Sequence, residues 1–221
     1  MSTEFKNTIS EIFKYLAISL LFMVLGFFVG AMFVPPSFVY FANRVIAIIS
    51  VLLLVLALFS RKRIIPRRFS MNYVYAFTFI DGILLYPLFV YYLQDLGIGI
   101  FVGVVAAAIA IFASLSYMAG KKQGGYYLGL GNVLFAGLLG VLVLTLVSFF
   151  FGGRGFSILI SIISVIVFSG YILYDISLIK YSVENRFIRD KNDLSIYVLN
   201  LYLDFINILL DLLNIVSEVD D

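Results

Sequence analysis

The sequence predicts an all-α integral membrane protein, a bundle of seven transmembrane helices, and three observations carry that prediction. The 221 residues are 63% hydrophobic and 13% charged, with a mean hydropathy of +1.10, too apolar for a soluble domain that must cover itself with polar surface. Seven apolar runs of membrane-crossing length follow one another along the chain. The last of them, around "LNLYLDFINILLDLLN", carries Asn200, Asp204, Asn207, Asp211 and Asn214 at steps of four, three, four and three, which is one face of a helix. No polar stretch is long enough for a separate soluble domain, so residues 1–221 are read as one bundle.

The runs fall at roughly 12–34, 38–60, 71–93, 97–119, 126–151, 156–180 and 194–217. The breaks between them are Pro35-Pro36, the basic run Arg61 to Arg68, the Gln94-Asp95 step, Lys121-Lys122, the glycines around Arg154, and the polar segment Lys180 to Asp193. The first run has about 20 apolar residues and no small-residue cleavage site after a short core, so it reads as a retained helix and not a signal peptide. Nothing repeats, and no segment is of low complexity.

Lysine and arginine set the orientation. With a cytoplasmic N-terminus, that side holds Lys6, Lys14, Arg61, Lys62, Arg63, Arg67, Arg68, Lys121, Lys122, Lys180, Arg186, Arg189 and Lys191, and the opposite side only Arg44 and Arg154. An odd number of crossings then puts the acidic tail "SEVDD" on the far side, unless the last run is re-entrant. Topology explains the net charge of +2, which leaves no nucleic-acid signal. With no targeting segment visible, a prokaryotic plasma membrane is the expected location, with an internal membrane as the alternative.

The chain has no Cys and no His, which excludes disulfides, thiolate nucleophiles, the usual zinc sites and serine-histidine dyads. Proton chemistry near neutral pH therefore falls to carboxylates. Four lie within apolar runs, Asp81, Asp175, Asp204 and Asp211, where an ionisable group costs about 2.5–3.5 kcal/mol and is a functional candidate. Asp81 and Asp204 each lie about ten residues, roughly 15 Å, from a cytoplasmic helix end. Asp175 is expected nearer the cytoplasmic mouth and Asp211 further out, so the set is spread along the membrane normal. Asn200, Asn207 and Asp211 are candidate pore-lining residues beside Asp81.

Asparagine and aspartate also hydrogen-bond between helices and hold bundles together. Asparagine would do that without a charge, so the aspartates ask for more. On either reading the polar face must turn from lipid, and the last helix is expected to lie enclosed by the other six.

"FSGYILYDISLI" and "LNLYLDFINILLDLLNI" resemble the paired signature of the transmembrane Bax inhibitor motif family, with "FVPP", "RKR" and "YAFTFIDGILLYP" similar to segments upstream. The similarity runs from about Phe33 to the C-terminus and is densest in the last two helices. The resemblance implies a seven-helix bundle around its last helix and a pH-sensitive calcium leak. It further implies that two aspartates share a proton, here Asp175 of "LYD" and Asp204 of "YLDF", and that an arginine, here Arg61, latches onto one of them. Two departures stand out: "KYSVENRFIRDKNDLS" between the last helices is longer than in bacterial relatives, and Asp81 stands where the family would have a small residue or another acid.

The chemistry is coherent on physical grounds. Two carboxylates facing each other in a low-dielectric site share a proton and titrate as a pair. Calcium, a hard cation that takes about six to eight oxygen ligands, competes for the same oxygens, so Asp175 and Asp204 with asparagine carbonyls would form a weak calcium site. A salt bridge from Arg61 to Asp175 would occlude the path, with Asp204 as the alternative partner of Asp175; Arg61 also reads simply as a topology-setting cation. The expected class is an ion channel and not an enzyme, with calcium, protons and the lipid bilayer as partners and no protein partner identified. Rival readings are a non-conducting scaffold, a proton-coupled carrier, and an intramembrane aspartyl protease. The protease would require Gly-x-Gly-Asp beside Tyr174-Asp175, but "GLGN" at 129–132 ends in Asn132.

Overall fold

A membrane leaves backbone polar groups no water to bond, so apolar runs without interior breakers close their hydrogen bonds internally as helices. The computed structural model describes residues 3–35, 42–62, 68–151, 153–188 and 190–220, and among them it contains six α-helices and no strand. These are α1 (Thr3–Phe33), α2 (Ala42–Arg61), α3 (Met71–Lys121), α4 (Gly131–Phe151), α5 (Arg154–Glu184) and α6 (Ser195–Asp220). Short 3₁₀ turns at Leu128–Leu130 and Lys191–Leu194 lead into α4 and α6. Five of the helices, all but α2, are long and apolar enough to cross a membrane; the shorter apolar helix Ile48–Arg61 belongs to α2. Pro36, Arg63, Arg67, Arg189 and Asp221 of the sequence reading lie outside the described residues.

The third and fourth expected runs are one helix of 51 residues, α3, and the chain does not break at Gln94-Asp95. A straight helix of that length would measure about 77 Å, more than twice a bilayer core. It turns instead at Gly97, whose φ of 73° is open to glycine and costly for other residues. Phe89 and Phe101 stack edge to face with centroids 6.0 Å apart, whereas twelve residues of straight helix would separate them by about 18 Å. The two arms of α3 therefore fold back on each other. Asp95 stays helical and accepts a hydrogen bond from the Ser217 hydroxyl at 2.5 Å, so its polarity serves a tertiary contact and not a turn.

α1 lies along the first arm of α3 at a crossing built on glycine. A Cβ on Gly26 would run into the backbone of Phe79, and one on Gly82 into the backbone of Met23. The end of α3 is tied to α5 by Lys180, whose buried ammonium donates to the carbonyl oxygens of Gly120 (3.1 Å) and Lys122. Lysine thus neutralises helix-end carbonyls that no backbone N–H reaches. At the same end Arg68 pairs with Asp190 and Asp193, joining the approach to α3 with the approach to α6.

α6 is the most buried span: 78% of its apolar window is inside, against 22–39% in the other four. Every residue from 198 to 210 is buried, so even its polar residues face protein. It packs on α1, α2, α3 and α5, and it touches both arms of α3, through Phe77 against Tyr202 (6.0 Å) and Phe112 against Phe205 (5.9 Å).

Candidate functional site

The site begins with where three helices stop and start. Arg61 is the last residue of α2; Asp175 is nine residues from the end of α5 at Glu184, and Asp204 nine residues from the start of α6 at Ser195. Because α5 and α6 are antiparallel neighbours, equal distances from adjoining ends put both carboxylates at one level, roughly 14 Å in. The expectation that Asp175 lies nearer the mouth than Asp204 is corrected here: α5 continues four residues past Lys180, which draws Asp175 deeper.

Arg61 spans the two acids. Its Nη1 donates to both oxygens of Asp175, at 2.9 and 2.7 Å, while Nη2 donates to Oδ1 of Asp204. The planar fork suits this use, since its in-plane donors serve two acceptors while its face stays free. That face lies on the ring of Tyr171, with Cζ 3.7 Å from the ring centroid. Asp175 and Asp204 are fully buried and the Arg61 side chain is 6% exposed, so the cluster is out of water. The carboxylates are thus no farther apart than a guanidinium and two hydrogen bonds can bridge. Arg61 engages both at once, where the sequence reading had Asp204 and Arg61 as alternative partners for Asp175.

Charge and hydrogen bonds are both incompletely balanced. One guanidinium offsets one of two carboxylates. Asp204 Oδ2, Arg61 Nε and the Tyr171 hydroxyl are buried without a hydrogen-bond partner among the described residues. Such groups are costly unless a proton or an ion completes them. No group of three or more acidic residues suited to a metal occurs among the described residues. Of the four carboxylate oxygens of the pair, the guanidinium holds three and leaves Asp204 Oδ2.

Of the other candidates, Asn200, Asn207, Asp211 and Asn214 lie along α6 above and below this level, and Asp81 lies on α3. Asn200 accepts from the Ser60 hydroxyl through Oδ1, next in sequence to the arginine. Asn207 turns its amide back to the Leu203 carbonyl of its own helix, 2.8 Å. Asp81 is apart from the pair: its Oδ2 accepts from the Tyr202 hydroxyl at 2.6 Å. Asp211 accepts from Ser164 at 2.5 Å, and the amide of Asn214 donates to Ser157 (2.9 Å) and Ser161 (3.0 Å).

Tyr171, Ser60, Tyr202 and the serines of α5 were absent from the sequence reading. Their signal was a second seam: Ser157, Ser161, Ser164, Phe168, Tyr171 and Asp175 recur at steps of four, three, four, three and four. This is the period of the α6 seam and faces it in antiparallel register.

The whole arrangement meets known proteins at family level. Residues 6–221 match the family described as inhibitor of apoptosis-promoting Bax1, so the match extends upstream of Phe33. An uncharacterized membrane protein of Streptococcus pyogenes serotype M3 is 34% identical over 176 residues, 79% of this chain and 73% of its own length. A Campylobacter jejuni protein is 30% identical over 98% of this chain and 94% of its own, and one from Helicobacter pylori J99 is 26% identical over 99% and 90%. With long apolar helices and relatives named as membrane proteins, the chain is an integral, multi-pass membrane protein, and it belongs to the Bax inhibitor-like transmembrane family.

Proposed function

We propose that this protein is a pH-sensitive calcium leak channel in which Arg61 latches a buried aspartate pair, and that it is not an enzyme. The observation that carries the reading is the buried guanidinium lying across Asp175 and Asp204, each nine residues inside its helix. With both acids ionised, Arg61 is held by two opposite charges and the site is shut. A proton on one acid leaves the guanidinium a single charged partner and frees carboxylate oxygens for calcium; protons on both leave calcium no charge to meet. The pair is then a sensor whose middle state is the conducting one.

On this reading the two arms of α3 are separate crossings, which makes seven, with α6 enclosed by the other six and the N-terminus cytoplasmic. The gathering of Arg61, Lys62, Arg68, Lys121, Lys122 and Lys180 toward one end, with Arg154 toward the other, supports that orientation. A prokaryotic plasma membrane fits the bacterial relatives.

A scaffold is favoured by one observation: Asn200 and Asn214 hydrogen-bond to serines of neighbouring helices, as structural polar groups do. Flux decides. Calcium entry into liposomes carrying the purified protein, followed across pH, should depend on pH in the parent and change with Asp204→Asn. A folded protein that passes no calcium at any pH would leave the scaffold standing, and calcium exchanging for protons at fixed stoichiometry would make it a carrier.

A further inference from the structure

The inner pair carries a cation of its own in Arg61; the outer half of the same seam does not. Asp211 lies seven residues beyond Asp204, two helical turns or about 10 Å. Its hydrogen-bond partners are neutral hydroxyls, those of Ser164 and Ser161. Ser161 and Ser157 lie one and two turns further along α5, both receiving the amide N–H groups of Asn214. Donating through nitrogen leaves the Asn214 carbonyl oxygen for another use. Asp211, Ser164, Ser161 and Asn214 supply one carboxylate, two hydroxyls and an amide carbonyl, all hard oxygen donors and of the kind that suits a hard divalent cation.

Burial separates the two levels. Asp204 is fully buried, as is Phe168, which interrupts the α5 seam between Ser164 and Tyr171. Asp211 and Asn214 are only half-buried, while Ser161 and Ser164 behind them are 4% and 2% exposed. At the far end Asp95 receives Ser217, and Glu218 lies 3.7 Å from Arg154. Asp211 and Asn214 are thus less enclosed than the Asp175–Asp204 pair.

We propose that Asp211, Ser164, Ser161 and Asn214 form a second station for a divalent cation, on the far side of the Asp175–Asp204 pair. This rests on the leak reading for its purpose, since an ion that must both enter and leave needs weak sites in series. It does not rest on that reading for its test. Phe168 then stands between the two stations, and an ion at Asp211 waits there until the latch opens.

Terbium, a calcium analogue whose luminescence tyrosine sensitises, suits a chain with 15 tyrosines and no tryptophan. In detergent-solubilised Asp204→Asn protein, terbium luminescence that calcium displaces should persist. Adding Asp211→Asn should remove it, and Ser164→Ala should weaken terbium binding about tenfold. Asparagine still accepts from Ser164 through its amide oxygen, so the fold is kept. A titration of the double variant that matches Asp204→Asn alone overturns the station, as does loss of all displaceable signal in Asp204→Asn alone. In liposomes, Asp211→Asn should raise the calcium concentration for half-maximal flux and leave the pH at which flux peaks unchanged. If the parent passes no calcium while the terbium results hold, the leak reading fails and the binding site remains.

Discussion

Arg61 is held edge-on by two carboxylates and face-on by one ring, and each contact limits a different motion of the guanidinium. The carboxylates fix where its donors point, and Tyr171 blocks retreat along the normal to its plane. A desolvated cation–π contact contributes about 2 kcal/mol, so the ring weighs on the balance between latched and released states. Tyr171→Phe keeps the face and discards only a hydroxyl without a hydrogen-bond partner among the described residues; its calcium flux should match the parent. Tyr171→Leu should raise flux at neutral pH several-fold, with circular dichroism checking the fold. Equal flux in both variants would make the ring mere packing. Arg61→Lys keeps a charge and loses the fork, so it should leak more than the parent and less than Arg61→Ala. The acids were legible from their cost in an apolar run and the pairing from the resemblance. Tyr171, Ser60 and Ser164 were not, because neutral hydroxyls are cheap enough in membrane helices to raise no flag individually. Only their register against α6 marks them.

At the scale of elements, α3 is where pattern and structure part. Hydropathy marks both of its arms, but the most polar step, Gln94-Asp95, is not where the chain turns; the backbone turns at Gly97, a residue with no side chain. Polarity reports where a chain can meet water, whereas a positive φ reports where it can bend, and here the two are two residues apart. Gly97→Ala should cost roughly 1–2 kcal/mol from its positive-φ, extended backbone alone, a region nearly exclusive to glycine, since an added Cβ meets nothing within 4 Å. Gly82→Ala should cost more, about 1–3 kcal/mol, because its Cβ would meet the Met23 backbone where α1 crosses α3 and the helices must part. Thermal unfolding in detergent, with Gly99→Ala as a neutral neighbour in open space, should rank the three as Gly82, Gly97, Gly99. If Gly82→Ala unfolds with the parent, the close crossing of α1 and α3 contributes nothing to stability.

Across the whole molecule the polar groups sort by position along α6. The end of the seam near Arg61 is guarded by a cation and the end near Asp211 by hydroxyls, with acids at the mouth, so the bundle is electrostatically asymmetric along its axis. A buried cluster of one guanidinium and two carboxylates has charge −1 with both acids ionised, 0 with one proton and +1 with two. The first state grips Arg61 most strongly, and the last gives calcium nothing to bind. Calcium flux should therefore pass through a maximum as pH is varied over about 5 to 8, falling on the alkaline side by latching and on the acid side by protonation. Arg61→Ala removes the alkaline limb only: its flux should climb with pH and stay high, because ionised acids now face no latch. Asp175→Asn leaves one titrating group and one charge for Arg61, so its profile should flatten while its neutral-pH flux rises above the parent's. The two variants thus differ in which limb they lose, an outcome that a non-specific loosening of the bundle would not produce. Parallel profiles for parent, Arg61→Ala and Asp175→Asn, in protein that remains folded, would place the pH sensor outside this cluster. Asp81, tied to Tyr202 in the same core, would then be the residue to vary.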